Sequence, residues 1–281
     1  MNVTFWGVRG SIACPGPRHA RVGGNTSCVE VTADGVTVVL DAGTGLRPLG
    51  ASLAARHVRR VHLLLSHTHW DHTCGLPFFS PLYDARAEID IVAGQGAHYG
   101  ADARAVLFGQ IAPPSFPVSL AEAPAKVTFR TVAAGATFAI ERKVRVTTAA
   151  LAHPGGAVAY RVEHGGVAVA YVTDTEHGAG EPDARVLGLI ERADLVIYDS
   201  TYTDAEMPSR RGWGHSSWEE GVRLCRIAHA RRLAIFHHDP DHDDRFMARV
   251  AARARRAWSG AFVAREGMRL RLRPAPLRGA R

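Results

Sequence analysis

The chain has 281 residues and a mass of 30.3 kDa, enough for one large α/β domain or two modest ones. Hydrophobic residues at 46%, charged residues at 22% and a mean hydropathy of -0.07 exclude a collagen, a coiled coil and wholesale disorder. The net charge of +7 is unevenly placed: 11 arginines and one acid, Glu266, from Arg245 onward leave 23 basic and 26 acidic side chains, a net of -3, before it.

This excess reads either as a phosphate-attracting surface or as a solvated helix face followed by a basic tail. The second reading is preferred, because Arg245, Arg249, Arg253 and Arg256 fall at helical spacing and arginine supplies 32 of the 34 basic residues throughout. Apolar runs such as Val36–Leu40 and Val167–Val172 fall far short of the roughly 18 residues that cross a bilayer. The opening Met1-Asn2-Val3-Thr4-Phe5-Trp6-Gly7 enters strand-like alternation with no basic-then-apolar leader, so a cytoplasmic setting is expected. Cysteines 14, 28, 74 and 225 have no paired spacing and are expected to be reduced thiols.

In chain order, strands are predicted at Val3–Trp6, Ser27–Thr32, Val36–Leu40 and Val61–Leu65, with a helix-compatible stretch at Leu46–Arg59 before the last. A second series follows at Glu88–Val92, Lys126–Val132, Val144–Ala150, Val158–Glu163 and Val167–Val172. Then come helix 183–192, strand 194–199, helix 217–231, strand 233–236, helix 243–257 and closing strands near 261–264 and 268–272. Ser217 with Glu220 fits a capping box, and Asp241 or Asp243 is the expected cap of the 243–257 helix.

Antiparallel strands first and strand–helix alternation later, in each half, predict an α/β protein of two sheets packed face to face with helices outside. No linker or repeat divides the chain, so 1–281 is read as a single domain with a basic C-terminal segment from about 245. The segment His98–Pro124 resists this scheme. Its Pro113-Pro114-Ser115-Phe116-Pro117 run is expected to exclude a helix, leaving a loop over a site or a surface crossover. Phe116 is its candidate substrate contact.

The chemistry concentrates in Ser66-His67-Thr68-His69-Trp70-Asp71-His72, directly after the apolar strand Val61–Leu65. Four metal-ligand side chains, His67, His69, Asp71 and His72, fall within six residues at a strand end, where side chains are expected to leave the core for solvent. Neutral imidazoles suit zinc and similar ions, and the carboxylate favours a second cation.

This motif resembles the HxHxDH signature of the metallo-β-lactamase superfamily, and the resemblance extends over nearly the whole chain. It implies the family's αββα four-layer sandwich. It also implies further ligands: His153 after the strand ending at Ala150, Asp174 after Val172, and His237 after Phe236. His238 competes for the last role, and His237 is preferred because it directly follows the apolar strand. The implied division is His67, His69 and His153 on one metal, Asp71, His72 and His237 on the other, and Asp174 bridging. The ions are two divalent cations, zinc or alternatively manganese, and Asp71 is at once ligand and catalytic residue. Asp41, in Leu40-Asp41-Ala42-Gly43, matches the family's early Asp-Gly motif as an orienter of the ligands or a turn residue. His177, just after Asp174, is a candidate to reach the site.

The superfamily covers many substrates, so the fold alone is weak evidence of function. The ligand set departs from the flavodiiron pattern, which places a glutamate among the first ligands. Trp213-Gly214-His215-Ser216-Ser217 resembles a motif of the ribonuclease Z-like phosphodiesterases, in which the histidine is the general acid for the leaving alcohol. His215 is therefore the expected proton donor.

Ribonuclease Z proper carries a long tRNA-gripping arm between the ligands matching His153 and Asp174. Here 20 residues separate them, filled by a predicted hairpin. The expectation is accordingly a small cyclic nucleotide or cyclic phosphate as substrate, with nucleic acid not favoured. Thioester or lactone hydrolysis and a nuclease acting on RNA or DNA ends are the alternatives. A homodimer is implied by the resemblance only, and no membrane partner is expected.

Overall fold

The computed structural model describes residues 1–94, 102–178 and 182–274. The first half of the chain forms β1 (Asn2–Gly7), β2 (Cys28–Ala33), β3 (Val36–Leu40), α1 (Leu46–Ala55), β4 (Arg60–Leu65), β5 (Glu88–Gly94), α2 (Ala103–Gln110) and β6 (Lys126–Val132). The second half forms β7 (Thr137–Ile140), β8 (Val144–Leu151), β9 (Ala157–His164), β10 (Val167–Val172), α3 (Ala184–Ile190), β11 (Leu195–Asp199), α4 (Trp218–Ile227), β12 (Leu233–Phe236), α5 (Asp244–Ala257), β13 (Ala261–Val263) and β14 (Arg269–Arg271).

These strands build two seven-stranded sheets, ordered β14-β1-β2-β3-β4-β5-β6 and β13-β12-β11-β10-β9-β8-β7. In the first, β1 to β3 pair antiparallel and β3 to β6 parallel. The second repeats that order, antiparallel from β7 to β10 and parallel from β10 to β13. Every residue of β3, β10, β11 and β12 is buried, as their continuous apolar runs require of strands covered on both faces. Phe5 of β1 meets Phe236 of β12 with ring centroids 6.2 Å apart, one contact of the core between the sheets. A second core lies beneath α1 and α2, where Leu46, Leu49, Leu53 and Leu107 pack on Leu63 and Ile91.

The expected helices cap as their residues suggest. The Ser217 hydroxyl accepts from the Glu220 N–H at 3.1 Å, and Asp243, rather than Asp241, accepts from the Phe246 N–H at 2.9 Å. Two expectations are corrected. The 98–124 segment does hold a helix, α2, capped by Asp102, because its prolines begin only after Gln110 and end the helix instead of excluding it. The short strand β7 was not anticipated. The helix and closing strands expected in the basic C-terminal segment are present as α5, β13 and β14, and β14 pairs with β1 through Val3 and Leu270.

Candidate metal centre

The carboxyl ends of β3, β4, β10, β11 and β12 each deliver a polar residue just beyond an apolar run: Asp41, Ser66–His67, Asp174, Asp199 and His237. Backbone turns there are tight. Asp41, Asp174 and His237 have φ of 60°, 40° and 60°, the left-handed region that costs a non-glycine residue about 1 kcal/mol or more. The turn aims each side chain across the sheet ends. Gly10 passes so close that a Cβ there would lie 2.4 Å from the His237 ring.

The seven side chains singled out in the sequence converge, and against expectation most are buried: His67 is 1% exposed, His72 0%, Asp174 2% and His237 0%. His72 Nε2 lies 3.2 Å from His237 Nε2 and 3.3 Å from both Asp71 Oδ2 and Asp174 Oδ1. His237 Nε2 is likewise 3.3 Å from Asp71 Oδ2 and Asp174 Oδ1. Ligand atoms about 2.0–2.1 Å from one zinc-like centre in a tetrahedron are separated by about 3.3 Å. Five edges of that tetrahedron are present.

A second group joins it through the other oxygen of Asp174. His67 Nε2 and His153 Nε2 each lie 3.7 Å from Asp174 Oδ2, and His69 Nδ1 lies 3.1 Å from His153 Nε2. The His67 Nε2 is buried with no hydrogen-bond partner, a cost that a bound cation would remove. Burial, reinforced by neighbouring His72, pushes the His67 pKa well down, keeping that lone pair open. Burial opposes ionisation of Asp71 and Asp174, but His72 and His237 overcome it and hold both carboxyls well below their usual range. The donor set thus fits divalent metal ions.

Supporting groups fix these donors. The buried Asp41 carboxylate accepts from Ser66 N–H at 2.7 Å, the Ser66 hydroxyl at 2.8 Å, His72 Nδ1 at 2.7 Å and the Tyr171 hydroxyl at 2.7 Å. His153 Nδ1 donates to the Gly214 carbonyl at 2.8 Å, and Asp71 Oδ2 accepts from the Ser11 N–H at 2.7 Å. His215 Nδ1 donates to Asp199 Oδ2 at 3.0 Å and lies 4.0 Å from Asp174 Oδ2. Burial lowers the His215 pKa, but the Asp199 carboxylate dominates and pushes it up to about 9.

Residues 36–238 match the family model of the β-lactamase superfamily domain. The chain belongs to that family. Ribonuclease Z of Salinibacter ruber is 28% identical over 300 residues, covering 88% of this chain and 89% of that protein. A shorter match to Ribonuclease Z of Sulfurisphaera tokodaii, 30% identical over 105 residues, takes in 37% of this chain and 33% of that one. Human tRNase Z, short form, superposes with a TM-score of 0.69 at 19% identity over 96% of this chain and 99% of its own length. Zn(2+)-bound PqqB from Methylobacterium extorquens gives 0.72 at 20% identity over 97% of this chain and 100% of its own. Both structures show the fold. This β-lactamase superfamily member is a metal-dependent hydrolase whose cluster suits divalent ions.

The other sequence candidates are not among the ligand groups of the described residues. His177 does not join the ligand groups: its Nε2 bonds the Tyr198 hydroxyl at 2.6 Å. Phe116 packs edge-on against Phe78, centroids 5.7 Å apart, and His238 turns away to the Ala264 carbonyl at 3.0 Å. Sequence reasoning missed Asp199, Ser66, Thr201 and Tyr171. Asp199 carried a usable signal, since it ends an apolar strand just as Asp41, Asp174 and His237 follow theirs.

Proposed function

We propose that the protein is a metal-dependent phosphodiesterase acting on a small phosphodiester, a cyclic nucleotide or cyclic phosphate, with two zinc ions in the site. The carrying observation is the His215–Asp199 pair beside the ligand cluster. A phosphodiester expels an alkoxide, a poor leaving group, and a held imidazolium is the group that protonates it. Spacing of 3.2–3.3 Å among nitrogen-rich donors favours zinc, with manganese as the alternative. Such ions, when bound, supply Lewis acidity toward phosphoryl oxygens and a nucleophilic water near neutral pH.

The chain's own residues do the rest. His67, His69 and His153 would hold one ion, Asp71, His72 and His237 the other, and Asp174 both. Asp41 fixes the His72 ring through Nδ1, and the Gly214 carbonyl fixes His153. Asp199 engages His215 Nδ1, leaving Nε2 as the proton-delivering atom toward the departing oxygen. The hairpin β9–β10 occupies the interval between His153 and Asp174 with a Gly165-Gly166 turn, which supports a small substrate over a gripped tRNA.

A second reading, cleavage of RNA ends, is favoured by the name of the Salinibacter ruber relative. A homodimer in the cytoplasm belongs to the same proposal and rests on the family resemblance. No helix among the described residues is long and apolar enough to cross a membrane.

The test is turnover by zinc-loaded protein of bis(p-nitrophenyl) phosphate, 2′,3′- and 3′,5′-cyclic nucleotides and a 3′-extended RNA. Cyclic nucleotide hydrolysis supports the first reading and RNA-only turnover the second. Inertness toward every phosphodiester, with hydrolysis of a thioester or lactone, overturns both.

A further inference from the structure

We propose that Glu176 is a positioning residue that clamps the turn 212–215 and so sets both the His153 ring and the proton donor His215; the catalytic part of this inference rests on the phosphodiesterase reading above. Glu176 stands two residues after Asp174 and is tied to the main chain just past the end of β8 by its N–H, which donates to the Ala152 carbonyl at 2.8 Å. Its carboxylate reaches across to a different segment. Both oxygens accept from the Gly212 N–H at 2.9 Å, and Oε2 also accepts from the Gly214 N–H at 2.9 Å.

The Gly214 backbone therefore works in two directions. Its N–H points to Glu176, while its carbonyl receives the Nδ1 proton of His153, which leaves His153 Nε2 for the ligand cluster. Only glycine permits this approach: φ at Gly214 is +79°, and a Cβ would sit 2.3 Å from His153 Nδ1. His215 follows directly. The segment around it contains no helix or strand from Arg210 to Ser216, so side-chain-to-backbone bonds carry the burden of holding it in place. A charged acceptor strengthens such bonds about twofold over a neutral one.

Glu176→Gln keeps size but offers one acceptor oxygen and sets an amide N–H₂ against a backbone N–H. The measurement is amide hydrogen exchange at Gly212 and Gly214 in the zinc-loaded protein, beside kcat for a dialkyl-type phosphodiester and for bis(p-nitrophenyl) phosphate. Exchange at both glycines is expected to accelerate tenfold or more. The ratio of kcat on the alkoxide-releasing substrate to kcat on the nitrophenyl substrate is expected to fall by at least tenfold, because only the former depends on a well-placed acid. Glu176→Asp, which keeps the charge with a shorter reach, is expected to recover part of the exchange protection.

Unchanged exchange at Gly212 and Gly214 in Glu176→Gln overturns the clamp. Faster exchange with an equal loss on both substrates overturns the link to His215. If the wild-type protein hydrolyses no phosphodiester, the functional reading fails, while the exchange measurement still decides the clamp.

Discussion

Asp199 Oδ2 lies 3.0 Å from His215 Nδ1, while its Oδ1 accepts the Thr201 hydroxyl at 2.7 Å, and that hydroxyl oxygen sits 3.0 Å from His237 Nδ1. One buried carboxylate thus orients the His215 ring and, through Thr201, the His237 ring. Removing its charge takes away the largest interaction that opposes burial at His215. Since the acid acts in its protonated form, activity is lost as pH rises through the His215 pKa, which lies near about 9 with Asp199 in place. Asp199→Asn is expected to move the alkaline limb of kcat to lower pH. The pH–rate profiles of the two proteins check the sign.

His215→Ala removes the donor itself. Loss of a general acid costs about 10²–10⁴ in rate when the leaving group needs its proton, so a cyclic nucleotide is expected to lose that much in kcat. A p-nitrophenolate leaving group needs little protonation, and bis(p-nitrophenyl) phosphate is expected to lose less than about tenfold by the same argument. Equal losses on the two would remove His215 from this role.

Asp41 accepts four hydrogen bonds in a fully buried position. Asparagine can satisfy only part of that set and turns a donor toward His72 Nδ1 or Tyr171. Asp41→Asn is expected to weaken metal affinity about 10–100-fold, measured by competition with a chromophoric chelator. The Tm is expected to fall as well, because an unmatched buried donor costs about 1–3 kcal/mol.

Metal removal should also be visible without any substrate. An ion present at about a thousand times its Kd contributes about 4 kcal/mol, and each kcal/mol moves Tm by about 2–4 °C in a chain of this size. Chelation is therefore expected to lower Tm by about 10 °C, with recovery on adding zinc. A Tm indifferent to chelator would contradict the ligand assignment.

The HxHxDH cluster was legible in the sequence because it is local, whereas His153, Asp174 and His237 were implied by the family resemblance, each following a short apolar strand. The strand pattern likewise foretold two sheets and most helices. What was hidden depends on tertiary neighbours. Tyr171 sits inside an apolar strand and reads as core, yet its hydroxyl meets Asp41. Thr201 and Glu176 act on segments far along the chain, which no spacing reveals. The helix α2 was obscured by prolines that in fact lie beyond its end, and β7 is only four residues long.

His67, His69, Asp71 and His72 follow a strand of one sheet, whereas His153, Asp174 and His237 follow strands of the other. Sliding either sheet past its partner by a fraction of a side chain would spoil every cross-seam distance at once. A substitution at the Phe5–Phe236 contact that the core absorbs through a slight shear would accordingly register as weakened ion retention well before it registered as unfolding.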